Sequence, residues 1–237
     1  KVICILRLFK VGGIKIITSR MHTSSTFPLI LGGEKTSFDS LSPSLWSYLK
    51  RSEVDKLKAF FKVIYPNFPH DMYNFESIKL TPIAIANNFY TEAVTKGDPI
   101  EKKISFVIMG LEALFLEDNF ELRYKLSMRA SKFLGSLGMN SNKARQTIKD
   151  GYDIRSKFAH GEVFSINDRK KFEGKHGSLD ILLQKLLNYL RIAIIINILM
   201  KLSKEEFAKL IDDSLIEAEK SNTLSKLVGK WKKYIIL

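Results

Sequence analysis

An all-α antiparallel helical bundle, preceded by a short β-rich segment, is the fold class this 237-residue chain predicts. Three observations point there. From Leu41 onward, apolar residues recur at helical spacing, as in Ile104, Ile108, Leu111 and Phe115. Helix starts are marked by Ser-Pro, Thr-Pro and Asp-Pro pairs at 42–43, 81–82 and 98–99. The connections between stripes are short, which favours antiparallel neighbours.

Residues 1–40 read differently. VICILRLF and IKIIT are β-branched runs separated by KVGG, a hairpin signal, and the segment reads as the tail of an upstream β domain of the same polypeptide. GGEKTS nearby is no phosphate loop: Glu34 separates Gly33 from Lys35, and the spacing of a Gly-x4-Gly-Lys-Ser/Thr loop fails. Residues 41–97 form accessory helices. One starts at Ser42-Pro43 and runs to about Tyr65, where Pro66 and Pro69 end it; the next runs from Thr81-Pro82 to near Gly97.

Residues 98–237 form the main bundle with a basic tail. Asp98-Pro99 opens its first helix. Asp118 and Glu121 have capping-box spacing before a helix carrying Leu122, Leu126, Ala130 and Phe133, which closes at Gly135. Asn140 or Ser141 caps the next helix. A polar loop is expected over 161–177, then a long apolar helix from Ser178 and a Lys/Glu-rich helix from Ser203. The 179–202 stretch is broken by Gln184, Lys185, Asn188, Arg191 and Asn197. No uncharged run reaches the roughly 18–20 residues of a membrane span, so it reads as a buried core helix and no membrane partner is expected.

Composition narrows the function. Hydrophobic residues make up 45% and charged residues 27%, an ordinary globular mixture. The net charge of +13 favours a polyanionic partner such as RNA. One cysteine, Cys4, allows no internal disulfide and fits a reducing cytoplasm. With it, four scattered histidines offer no structural zinc set, so no metal or cofactor is expected.

The segment GYDIRSKFAHGE, residues 151–162, carries the chemistry. In a helix, Ile148, Tyr152, Arg155 and Ala159 share one stripe, so Arg155 stands where an apolar residue is expected. An unpaired buried guanidinium is very costly. Glu112, at the edge of the stripe on the first bundle helix, is the natural partner, and spacing favours that ion pair. The other reading has Arg155 facing a cleft and binding an anion through its planar fork. His160 lies roughly 140° around an ideal helix from Arg155. It reads either as a surface histidine favoured by the helix C-terminus before a capping Gly161, or as a general acid or base. Spacing decides neither question.

YDIRSKFAHGE, preceded by LEALFLEDNFELRYKLSMRASKFLG, resembles the HEPN superfamily, specifically its ApeA-like branch. The resemblance covers about residues 98–202, and LRLFKVGGIKI resembles the stretch before the helices in that branch. It implies a bundle that dimerises through the motif-bearing helices, many members being metal-independent ribonucleases of antiviral defence or toxin systems. Arg155 and His160 match the motif's Arg and His, Ser156 its small polar position, and Glu112 its acidic position. Glu162 stands where one branch has a modifiable Tyr, so nucleotide transfer to such a Tyr is not expected. Some members keep the fold and lose catalysis, so the rival reading is a silent dimerisation or RNA-binding module of a larger protein. Lys157, Arg123, Arg129 and Lys132 are candidates for a basic RNA track.

Overall fold

The computed structural model describes residues 1–12, 49–73 and 80–236. Its elements are helical: α1 (Val2–Phe9), α2 (Val54–Asn67), α3 (Pro82–Thr95), α4 (Ile100–Phe115), α5 (Leu122–Ser136), α6 (Ser141–Ala159), α7 (Ile166–His176), α8 (Leu179–Met200), α9 (Lys204–Ile216) and α10 (Ala218–Gly229). The chain is an all-α helical bundle. The expected helix start at Ser42-Pro43, the IKIIT strand and GGEKTS lie outside the described residues.

Local chemistry sets most boundaries. Thr81, Asn140, Ser178 and Ser203 each accept a hydrogen bond from a first-turn amide, at the starts of α3, α6, α8 and α9. Two expectations change. The Asp118/Glu121 capping box does not form. Glu121 sits at φ 51°, outside the geometry the box needs, while Asp118 accepts from the Phe120 amide and from Lys125. The polar loop expected over 161–177 contains α7, opened by a reciprocal Ser165/Asp168 capping box. That box holds the Asp168 carboxyl down at about 2, with the Lys157 ammonium as the largest cause.

α7 is polar nearly all round and buries only Phe172, stacked on Phe164 with ring centroids 6.0 Å apart. Ion pairs attach it to the bundle, Lys157–Asp168 at 2.7 Å, Arg169–Glu101 at 2.8 Å and Lys175–Asp150 at 2.9 Å, and His176 Nε2 lies within hydrogen-bond distance of Asp150, at 2.9 Å. A helix with so little apolar face depends on such tertiary partners.

α8 is the axis of the core. It packs against α1, α2, α3, α4, α6 and α7. By length and mean hydropathy it also suits a membrane span, contrary to the sequence reading. Its burial inside the bundle, 72% of its most apolar window, makes it the core helix expected. Two glycines permit the close approach of its neighbours. A Cβ on Gly110 would stand 2.6 Å from Leu190 Cδ2, and one on Gly151 would stand 2.8 Å from Leu186 Cδ1 and 2.9 Å from Ile108 Cδ1. The roughly 1 kcal/mol that glycine costs inside a helix is offset by that packing. At the other side of α4, the rings of Phe115, Phe133 and Phe207 lie 5.5–5.7 Å apart and lock α4, α5 and α9 together.

VICILRLF is a helix, not the strand its β-branched composition suggests. Ile5, Leu8 and Phe9 are buried, the i, i+3, i+4 pattern of a helix on a core. Its last carbonyls are satisfied by the bundle rather than by local caps. Tyr90 Oη donates to Arg7 O at 2.9 Å, and Arg191 Nη1 donates to Leu8 O at 2.9 Å and Phe9 O at 2.8 Å. The Arg191 guanidinium also donates to Asn188 Oδ1 and to Ile236 O. Burial lowers its pKa to about 10, so the charge persists at neutral pH. The basic tail is therefore packed: Leu224, Val228 and Ile235 are buried.

Arg191→Ala would strand three carbonyls and is expected to cost about 3–5 kcal/mol of unfolding free energy in urea titration. Hydrogen exchange of the α1 amides should accelerate first. A loss below about 1 kcal/mol would contradict this role for the side chain.

Candidate functional site

α5 and α6 are joined by residues 137–140, so the start of α5 lies beside the end of α6. Arg123 on α5 pairs with Asp153 on α6 through two bonds of 2.7 and 2.9 Å, which fixes that register. α6 buries Ile148, Gly151 and Ile154 against α4 and α8. Its remaining faces present the residues of the motif.

Arg155 Nη2 donates to Glu112 Oε2 at 3.1 Å. The ion pair favoured by the stripe spacing is present. It is a single bond rather than a bidentate fork. Glu112 Oε1 and Arg155 Nε are both buried with no hydrogen-bond partner among the described residues. The side chains are 16% and 24% exposed, so the pair sits at the rim of the core. Burial raises the Glu112 carboxyl above its ordinary value, and Arg155 only partly opposes this. The guanidinium lies 5.7 Å from the Tyr152 ring centroid. Burial, then Glu112, push the Tyr152 phenol upward.

His160 is the C-cap residue of α6, past its last turn. Gly161, at φ +70°, allows the chain to reverse: its amide donates to Phe158 O at 3.2 Å and that of Glu162 to Lys157 O at 2.9 Å. This paired arrangement terminates the helix as expected from the His-Gly dipeptide. His160 is exposed, and its imidazole has no hydrogen-bond or ion-pair partner among the described residues. Ser156 is half-buried, and its carbonyl accepts the His160 amide at 3.0 Å. Arg155, Ser156 and His160 thus share one end of α6, with Glu112 behind Arg155.

The basic residues expected to widen this site are largely engaged elsewhere. Arg129 is buried, its guanidinium 2.8 and 2.6 Å from Asp212 and 2.6 Å from Phe115 O. It joins α5 to α9 and caps α4, and no surface track includes it. Arg123 and Lys157 are neutralised by Asp153 and Asp168, and Lys132 donates to Ser221 Oγ at 2.8 Å. The stripe Arg145, Lys149, Tyr152, with its i, i+4 and i+3 spacing, was the signal overlooked. Lys149, Tyr152, Tyr124 and Arg123 line a shallow hollow of about 400 Å³ between α5 and α6. The Arg145 guanidinium stands 6.0 Å from the Tyr124 ring centroid. Aromatic faces interleaved with cations suit stacked bases and phosphates.

Large apolar side chains crowd the same end. Phe120 and Tyr124 at the start of α5, Phe158 at the end of α6, and Val163 and Ile166 just beyond it are exposed, Val163 by 87%. Such a concentration marks an interaction surface.

The chain matches no family model, no curated protein and no solved structure.

Arg155→Ala leaves Glu112 buried without its cation. Since Arg155 is a quarter exposed, the expected loss is about 1–3 kcal/mol rather than the full cost of a broken core pair. Glu112→Gln should be nearly neutral at pH 7. Because the folded carboxyl titrates above its unfolded value, wild-type stability should fall as pH rises through that window. The slope should be absent in Glu112→Gln. Chemical denaturation of the three proteins between pH 4 and pH 7 checks all of this, and a large loss in Glu112→Gln at pH 7 would contradict it.

Proposed function

We propose that the chain is a HEPN-type ribonuclease module that works as a homodimer and cleaves RNA through the substrate's own 2′-hydroxyl. The observation that carries this reading is the incomplete Arg155–Glu112 pair on the last turns of α6, which end at an exposed His160 whose imidazole has no partner among the described residues. Unsatisfied buried polar atoms are uncommon, and a catalytic or ligand-binding role is one of the explanations for them. A phosphate would be an apt competitor of Glu112 for the Arg155 guanidinium, because guanidinium forks match phosphate oxygens.

The chemistry needs four things: an in-line 2′-oxygen, removal of its proton, neutralisation of the phosphorane, and a proton for the departing 5′-oxygen. As the 2′-oxygen bonds to phosphorus, the bond to the 5′-oxygen breaks, giving a 2′,3′-cyclic phosphate and a 5′-hydroxyl. Arg155 would hold the non-bridging oxygens as charge develops. His160 would take or give a proton. One chain supplies one such histidine, whereas the reaction moves two protons. A two-fold dimer that buries Phe158, Val163 and Ile166 would bring a second His160 to the same groove. The hollow with Lys149, Tyr124 and Tyr152 would take flanking nucleotides. The net charge of +13 agrees with an RNA partner.

A second reading has two observations in its favour: Arg155 already has a carboxylate, and among the described residues none orients His160. It is a HEPN-like module that dimerises or binds RNA without cutting it.

A single assay separates the readings. Wild-type protein should sediment as a dimer at micromolar concentration and cleave single-stranded RNA in EDTA, leaving 2′,3′-cyclic phosphate ends. A substrate with 2′-deoxy at the cut position should resist. His160→Ala should fold normally and lose about 10²–10⁴-fold in rate. Val163→Glu should yield monomer and lose activity with it. A dimer that binds RNA and leaves it intact supports the second reading; full activity in His160→Ala would refute the first.

A further inference from the structure

A second site lies elsewhere on α6. The C-terminal half of the helix carries the motif. Its N-terminal half, with the end of α7 and the middle of α8, encloses a hollow of about 680 Å³. Gln146, on its wall, is nine residues before Arg155, about half a turn around the helix. The hollow and the motif therefore occupy different faces.

Three lysines from three helices line the hollow: Lys143 of α6, Lys175 of α7 and Lys185 of α8. Lys143 and Lys185 are exposed and have no acidic partner among the described residues. Lys175 is held at 2.9 Å by Asp150, whose carboxylate is almost fully buried. The same carboxylate accepts from Gln146 at 3.1 Å and lies 2.9 Å from His176 Nε2. The carboxyl is kept below its ordinary value by these hydrogen bonds, Lys175 first, against the opposing effect of burial. The imidazole side chain is only 6% exposed yet lines the hollow. Met139, Thr147, Asn188 and Tyr189 complete the lining, whose accessible surface is mostly carbon.

An apolar hollow of a few hundred Å³ with a few convergent polar groups is the usual form of a small-ligand site. Here the convergent groups are cationic, and the one carboxylate near them is spent on Lys175, Gln146 and His176. The complementary ligand carries concentrated negative charge and a flat apolar part. We propose that this hollow binds a mononucleotide, its phosphates between Lys143, Lys175 and Lys185 and its base against Tyr189 and Met139. His176, held by Asp150, forms part of the wall. The size of the enclosure favours a single nucleotide over a polynucleotide strand, and the site does not depend on the RNA-cleaving reading.

Calorimetric titration of the full chain with AMP tests this directly, because it reads binding without any cleavage. AMP is expected to bind one per chain, more weakly as salt rises. Lys143→Ala with Lys185→Ala removes two exposed ammonium groups that make no ion pair, so the fold should survive, as circular dichroism can verify. Affinity should drop by roughly tenfold or more. Adenosine and inorganic phosphate, each carrying half of the ligand's chemistry, should both bind more weakly than AMP. No heat with AMP at about millimolar concentration, or equal affinity in the double variant, overturns the site. Inorganic phosphate binding as well as AMP overturns the base contact, and an oligonucleotide binding more tightly through the same two lysines overturns the assignment to a small ligand.

Discussion

One buried guanidinium holds the two ends of this chain to its core. Arg191 stands on α8, the helix that packs against six others, and spends its donors on carbonyls of residues 8, 9 and 236 and on Asn188. Removing a charge from water is expensive, and only a full set of acceptors offsets it. Once those acceptors are backbone carbonyls from α1 and from the tail, both must dock for the core to be satisfied. The docked α1 then presents Ile5, Leu8 and Phe9 to the bundle, and Tyr90 of α3 completes its capping. Polar satisfaction and apolar burial thereby select the same packing.

The rigid α4–α6–α8 contact that follows is what positions the candidate site. Gly151 lets α6 sit close on Ile108 and Leu186, which places Arg155 within reach of Glu112. The pair is neither a sealed core bridge nor a surface one. It is partly desolvated, joined by one bond, and leaves an unused atom on each partner. An arginine so held is preorganised, with its guanidinium against Tyr152 and part of its surface in water. On this account, the charge on a packing face serves both folding and phosphate binding.

Much of the fold was legible because its signals are local. The caps at Thr81, Asn140, Ser178 and Ser203 are read from single residues, and the structure uses each as a cap. The Arg155–Glu112 pair was legible because each partner interrupts an apolar stripe. α1 was misread because composition favoured a strand, while the i, i+3, i+4 burial of Ile5, Leu8 and Phe9 and its tertiary capping decide for a helix. α7 was missed because it has almost no apolar face, although its Ser165-x-x-Asp168 box stood in plain sequence. The basic track failed for a different reason. Arg129 and Lys132 find partners 83 and 89 residues away, and no local pattern foretells which charges the fold will neutralise. Lys149 and Tyr152 line the hollow because α5 crosses there, which spacing alone does not reveal.

The central claim is that Glu112 and an RNA phosphate compete for Arg155. Fluorescence anisotropy of His160→Ala protein with a labelled single-stranded RNA measures this without cleavage, compared in the presence and absence of a second change, Glu112→Gln. Weakening the internal competitor should tighten RNA binding severalfold while leaving the fold intact, and adding Arg155→Ala should abolish the gain. RNA affinity indifferent to Glu112 and Arg155 alike would contradict the account and leave the pair a structural bridge only.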